Sequence, residues 1–245
     1  MTADLAEGSA TLAPMSPTAA TPGHGAFITI DGPDGGGKTT QAERLREHLA
    51  ARGVRVLLTR EPGGTWLGER VRQVLLARTA ADAALTDPLT DALLFNAARR
   101  QIVGEVIRPA VRAGTTVICA RFADSTLAYQ GYGAGVPLDR LRVLADFATD
   151  GLVPDLTVLL DLPVESGLAR KSPDDVTRFE AEFDLDFHER VRAGFLAIAQ
   201  SEPARVAVID ATADIDTVAM RIASVVDDRL GRGSEPEAAH VRTTG

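Results

Sequence analysis

Aromatic residues are scarce in this chain of 245 residues, at 4%, with eight Phe, two Tyr and one Trp. A core must therefore be aliphatic, and a hydrophobic content of 45% can supply it. There is one cysteine, so no intramolecular disulfide can form, which fits a reducing compartment. That residue, Cys119, lies in an apolar run and reads as a buried, inert thiol. The four histidines, His24, His48, His188 and His240, show no metal-ligand spacing. No apolar stretch approaches the ~18 residues that a membrane span requires. Positive charge is in deficit, with a net charge of −8 and a pI near 5.1. This argues against a basic nucleic-acid footprint, although a local basic pocket can still hold a small anion. The expected partners are small molecules, not nucleic acid or membrane, and the expected location is the cytoplasm.

What is present is organised as one domain over 26–230. Residues 1–25 are rich in Ala, Thr, Pro and Gly and lack the basic start and apolar core of a signal peptide. They read as a disordered leader, and 231–245 as a disordered tail. Between them, five apolar runs read as strands: 26–31, 54–59, 115–120, 155–161 and 205–210. Continuous runs of this kind suit strands buried on both faces. Helical pattern over 37–52, 66–78, 87–113, 138–148, 180–200 and 214–230 alternates with them. Gly53 is placed to end the first helix, and Thr86 or Asp87 to cap the third, with Pro88 in its first turn. The fold class is α/β: a three-layer, P-loop NTPase-like fold with a five-stranded parallel sheet and helices on both faces.

The sequence Gly32-Pro33-Asp34-Gly35-Gly36-Gly37-Lys38-Thr39-Thr40 fits G-x-x-x-x-G-K-[ST] between a strand and a helix. That context makes it a phosphate cradle. Glycines let backbone N–H groups turn inward, and the helix N-terminus adds partial positive charge. Lys38 suits the β- and γ-phosphates of ATP, and the Thr39 hydroxyl suits Mg²⁺, which phosphates and water would otherwise hold. A guanine-reading [NT]-K-x-D is absent, and Asp161 is followed by Leu-Pro-Val where a GTPase would have D-x-x-G.

Two arginines end strands, Arg60 in T-R-E-P-G-G-T (59–65) and Arg121 after 115–120. Their carboxyl-end placement suits a second phosphate. Read singly, each is a surface arginine. In the long helix, Phe95 and Arg99 share a face, so a ring can stack on a base while a guanidinium reaches its edge. Read from that segment alone, a core Phe beside a solvent Arg fits better.

Together these segments resemble the thymidylate kinase family. The likeness runs from about 27 to 210 and includes T-R-E-P-G-G-T, L-F-x-A-A-R (94–99), R-F-x-x-S-T-x-A-Y-Q (121–130) and P-D-L-T-x-x-L-D (154–161). It implies transfer of the γ-phosphoryl group of ATP to dTMP, with Mg²⁺, in a homodimer. By the same resemblance Phe95 stacks on thymine and Arg99 donates to its O4. Thr126 reads the N3 edge beside Ser125, Tyr129 packs on the sugar, and Gln130 orders the base or a nearby loop. Asp34 meets the 3′-hydroxyl, and Arg60 and Arg121 clamp the acceptor phosphate. With Gly35 where some members carry arginine, basic residues of a mobile lid (about 168–181) are implied in catalysis, Arg178 first and Arg170 second. Asp174 and Asp175 dilute that lid's charge.

One position departs from the pattern. Members usually end the third strand Asp-Arg, and the aspartate serves the metal; here the pair is Ala120-Arg121. Thr39, Asp34 and, through water, Asp161 are the remaining candidates for the metal. Besides dTMP phosphorylation, two readings stay open: another pyrimidine acceptor such as dUMP or a 5-modified dUMP, or nucleotide binding with little catalysis.

Overall fold

The computed structural model describes residues 24–76, 87–171, 177, 179 and 183–231. Residues 1–23 of the expected leader, 232–245 of the expected tail and most of the expected lid lie outside them. Strands β1 (Phe27–Asp31), β2 (Val56–Arg60), β3 (Thr116–Ala120), β4 (Leu156–Asp161) and β5 (Val206–Asp210) form a five-stranded sheet in the order β2-β3-β1-β4-β5. Every pairing is parallel. The order reverses at β1, so the crevice for ligands opens beyond the carboxyl ends of β1 and β3.

All five residues of β1 and all five of β3 are buried, as strands covered on both faces require. On one face Ile28, Ile30, Ile118, Val158 and Leu160 pack with Leu45 and Leu49 of helix α1 (Lys38–Ala51). On the other, Phe27, Val117 and Cys119 pack with Ile102 and Ile107. Each fully buried Ile or Leu contributes roughly 1.5–3 kcal/mol. Cys119 is fully buried and its thiol is held well above the usual range by burial, which keeps it inert.

The helices begin and end where local chemistry dictates. Helix α1 closes with Gly53 at φ 77, a left-handed residue past the cap. Helix α2 spans Trp66–Leu76 and α3 spans Pro88–Ile102. Asp87 caps α3 by accepting from the Thr90 amide. The expected single helix over 87–113 continues through a π-helical stretch, Val103–Ile107, into α4 (Arg108–Arg112). Pro109 offers no N–H to the preceding turn, and the ladder widens there. Helices α5 (Ala123–Thr126), α6 (Leu138–Thr149), α7 (Val164–Ala169), α8 (Leu185–Ser201) and α9 (Ile215–Leu230) complete the layers. A second π-helical stretch, Leu127–Gly133, extends α5. Two glycines in these seven residues, Gly131 and Gly133, and the shortness of the stretch hide it from the sequence pattern. Asp184 and Asp214 cap α8 and α9. Among the described residues, no helix is long and apolar enough to cross a membrane.

Candidate active site: a cleft for two phosphates

The turn after β1 carries the glycine loop, and Gly37 caps α1 in the left-handed conformation. A cleft of about 570 Å³ opens above the loop. Asp34, Gly35, Gly37, Lys38, Thr39 and Thr40 line it from that side. From the other side come Phe95, Arg99, Arg121, Ser125, Thr126, Tyr129 and Gln130. The structure thus gathers most of the expected residues around one space. Gly32, Pro33 and Gly36 shape the turn behind it.

Lys38 Nζ donates to the carbonyls of Gly32 (3.0 Å) and Pro33 (2.6 Å). Burial, followed by the nearby charge of Arg121, lowers its pKa to about 7. Arg121 sits at φ 70, a left-handed turn that swings its side chain over the loop. Its guanidinium donates to Gly32 O (3.3 Å), Ser125 Oγ (3.1 Å), Asp34 Oδ1 (2.5 Å) and Tyr129 Oη (3.2 Å). Tyr129 donates in turn to Asp34 Oδ2 at 2.6 Å. Burial alone would raise the Asp34 pKa, but Arg121, Lys38 and the Tyr129 hydroxyl outweigh it and hold the group at about 2. Asp34 is an anion already committed to two partners.

The base side rests on α3. Arg99 is 1% exposed and donates to Glu61 Oε2 (2.9 Å), Asn96 Oδ1 (2.9 Å), Phe122 O (3.0 Å) and Thr126 Oγ1 (3.1 Å). Its guanidinium also lies 5.3 Å over the Phe122 ring. The solvent-arginine reading of Arg99 is therefore excluded. Phe95 stands at the cleft 6.2 Å from Phe179, so a planar ligand has aromatic walls to meet.

Other expected residues are placed differently. Arg60 does not line the cleft. Its guanidinium turns to Glu69 (3.1 Å), one helical turn into α2, and remains half exposed. Arg72 lines the cleft instead, donating to Pro62 O at 3.1 Å. Burial, then the charge of Arg60, lowers its pKa. A sequence signal for Arg72 existed: α2 opens directly after the T-R-E-P-G-G-T loop, so a basic residue two turns in returns to the cleft. Arg170 lines the cleft, but its guanidinium donates to the carbonyls of Ala211 (3.0 Å) and Thr212 (3.4 Å). Lys171 also lines the cleft, and its charge bears on both Lys38 and Asp34. Arg178, Asp174 and Asp175 lie outside the described residues.

Thr39 stands on the cleft wall. Asp161 is paired with Arg192 at 2.8 and 3.0 Å and does not line the cleft. Asp31 ends β1, but its carboxylate accepts from the Phe122 amide and the Ser125 hydroxyl. In register, Ala120 pairs with Ile30 and Arg60, so these three side chains share the sheet face that α1 covers. Asp31, one residue on from Ile30, points to the opposite face. No group of three or more His, Cys, Asp or Glu placed to hold a metal occurs among the described residues. The residues present fit an ion carried mainly by ligand phosphates, with Thr39 as the protein ligand.

Gly35 explains itself. It has φ 73, and a Cβ there would overlap the carbonyl of Gly167 in α7. The loop has no room for a side chain at this position.

Comparison with known proteins agrees with this geometry. A family model described as thymidylate kinase matches residues 30–222. A thymidylate kinase from Deinococcus radiodurans is 49% identical over 205 residues, covering 84% of this chain and 98% of the relative. One from Thermomicrobium roseum is 49% identical over 209 residues, covering 84% and 97%. The crystal structure of thymidylate kinase from Ehrlichia chaffeensis superposes with a TM-score of 0.67 at 38% identity, covering 83% of this chain and 99% of that one. With the family's glycine loop, Arg121 turn and Arg99 cluster all meeting at one cleft, this chain belongs to the thymidylate kinase family.

Proposed function

We propose that this chain transfers the γ-phosphoryl group of ATP to the phosphate of dTMP, giving ADP and dTDP. The observation that carries the reading is the convergence of the glycine loop, Arg121 and Arg99 on one cleft. The loop amides and Lys38 hold the donor phosphates. Arg121 and Arg72 neutralise the acceptor phosphate. Phe95, Arg99, Thr126 and Gln130 hold the base, with Ser125 and Tyr129 beside Arg121, and Asp34 serves the sugar hydroxyl. Arg178 and Arg170 of the lid are further candidates for the transferring group. No general base is required, because an acceptor phosphate oxygen is already anionic. Catalysis of this kind is positioning and charge stabilisation.

Thr39, together with the phosphates and water, would hold Mg²⁺, which would supply positive charge to offset the negative charge of the transferring group. The missing carboxylate at Ala120 favours a second reading, a slow enzyme that binds nucleotides well. A coupled assay of ADP formation with ATP and dTMP, set beside calorimetric binding of each nucleotide, tests both. Turnover with dTMP above that with dUMP and dCMP supports the first reading. Tight binding of both nucleotides with little or no ADP formed supports the second.

A homodimer belongs to the same proposal. Trp66 (76% exposed) and Val74 (65%) on α2, Leu93 (51%) on α3 and Phe147 (84%) on α6 leave apolar surface on helices that pack side by side. Light scattering at micromolar concentration checks it, and Phe147→Glu should yield a monomer. The chemistry suits the cytoplasm.

A further inference from the structure

Arg99 is the largest side chain among those fully buried in the described residues, and its charge is permanent. It carries five N–H groups. Nε is taken by Glu61, Nη2 by Phe122 O and Thr126 Oγ1, and one N–H of Nη1 by Asn96. One N–H on Nη1 remains for a cleft ligand. A fixed donor of this kind accepts a carbonyl and repels an amino group, because it has no lone pair to offer.

What keeps the donor fixed is Glu61. Its side chain is 3% exposed and its Oε2 sits 2.9 Å from both Nε and Nη2. Its own amide donates to Ala120 O at 3.0 Å, which ties the residue to the end of β3. The other carboxylate oxygen, Oε1, is buried with no hydrogen-bond partner among the described residues. Burial raises the Glu61 pKa to about 7 despite the adjacent Arg99. A buried ion pair is a poor way to stabilise a fold, since an apolar pair of equal volume serves as well or better. Glu61 also lines the cleft beside Arg99, so the pair stands where a bound base would meet it.

We propose that Glu61 is a positioning residue for substrate selection: by locking Arg99, it enforces a carbonyl at the 4-position of the pyrimidine. The inference rests on the proposed dTMP reading and concerns the same site. Without Glu61, Nε loses its acceptor and the guanidinium is free to swing away from the base edge, so its N–H no longer stands against a 4-amino group. Discrimination against 4-amino bases then falls, while discrimination by the 5-methyl group, an apolar contact worth about 1–3 kcal/mol, is untouched.

The test is kcat and KM for dTMP, dUMP and dCMP in the unaltered full chain and in Glu61→Ala, Glu61→Gln and Glu61→Asp. In Glu61→Ala the dTMP over dCMP ratio of kcat/KM should fall at least tenfold, chiefly through KM, with the dTMP over dUMP ratio within threefold of the original. Glu61→Gln keeps an acceptor for Nε and should restore the dTMP over dCMP ratio to within threefold. Should Glu61→Ala not fold, Glu61→Asp decides. It retains the compensating charge but withdraws the acceptor by one methylene, and it should show the same loss. A dTMP over dCMP ratio that stays put in whichever of Ala or Asp folds overturns the proposal. So does a loss shared equally by all three substrates. Absence of dTMP turnover in the unaltered chain would instead overturn the function reading itself.

Discussion

Lys38 and Arg121 donate to the same atom, the carbonyl oxygen of Gly32, at 3.0 and 3.3 Å. Two cations thus meet at the first residue of the glycine loop, one from α1 and one from the end of β3. Like charges this close repel, and the Lys38 pKa of about 7 records it together with burial. Asp34 offsets part of the repulsion. The arrangement is costly by itself and becomes favourable when phosphate oxygens fill the cleft. The pair marks where a donor and an acceptor phosphate would meet.

Arg121 forms four hydrogen bonds through a fork that a lysine cannot reproduce. Arg121→Lys keeps the charge beside Asp34, so the protein should fold with a modest loss of melting temperature. Turnover of dTMP should fall by ~10²-fold or more, the scale seen when one oriented donor to a developing charge is removed. Arg121→Ala also strands a buried Asp34 carboxylate and should cost about 3–5 kcal/mol of stability. Urea unfolding and steady-state kinetics on the two variants separate these effects. Equal kinetics for Arg121→Lys and the unaltered chain would remove Arg121 from the acceptor clamp.

Gly35 and Gly167 bring the glycine loop into direct contact with α7. A Cβ on Gly167 would sit 2.3 Å from the Asp34 carbonyl, too close for any rotamer change to relieve. Gly167→Ala should push the loop out of shape, raising the KM for ATP at least tenfold, while thermal stability drops by an amount typical of one strained residue, ~1–3 kcal/mol. An unchanged KM for ATP would show that α7 yields and that the loop is not braced by it.

Much of this was legible in the sequence. The five apolar runs gave the strands because parallel strands, buried on both faces, need no alternation. The G-x-x-x-x-G-K-[ST] signature placed the cradle, since glycine spacing encodes backbone geometry directly. Less legible were features set by side chains far apart in the chain. Arg60 reads as a clamp from its strand-end position, yet Glu69 takes it. Arg170 reads as a lid cation, yet two carbonyls of the β5–α9 connection hold its guanidinium. The need for Gly167 emerges only once α7 is folded against the loop. Asp161 looks available for a metal until Arg192 arrives from α8. Local motifs carry backbone instructions, whereas which ion pair forms is a tertiary outcome.

Ala120 shares the α1 face of the sheet with Ile30 and Arg60, at the carboxyl end of β3. A carboxylate there would face the side of the sheet that α1 covers, and Thr39 lies in the first turn of that helix. Ala120→Asp should therefore lower the Mg²⁺ concentration needed for half-maximal turnover and raise kcat, by about tenfold or more if metal placement limits the rate, a few kcal/mol being the scale of metal assistance. Binding of Mn²⁺ in the presence of ATP, followed by paramagnetic resonance, gives a readout independent of turnover. If neither the metal requirement nor kcat moves, the nucleotide phosphates and Thr39 already hold the ion well enough.

Asp31 lies at the end of β1, 0% exposed, accepting from the Phe122 amide and the Ser125 hydroxyl. Burial, then the neighbouring Asp124 carboxylate, raises its pKa to about 6, above the ordinary 3.8. The folded state thus holds a proton on Asp31 that the unfolded chain releases near its ordinary value. The stabilisation is complete below about pH 4 and is lost as pH rises through about 6. Over the whole window it amounts to about 3 kcal/mol, at 1.36 kcal/mol per unit. Asp31→Asn mimics the protonated acid: its oxygen can accept from the Phe122 amide while its NH₂ donates to Ser125. Between pH 4.5 and 7.5 the unaltered chain should therefore lose about 2 kcal/mol more unfolding free energy than Asp31→Asn. Urea titrations of both proteins at the two pH values measure the difference. Parallel pH dependences would mean that Asp31 is ionised in the fold throughout, with Arg121 and Lys38 prevailing over burial.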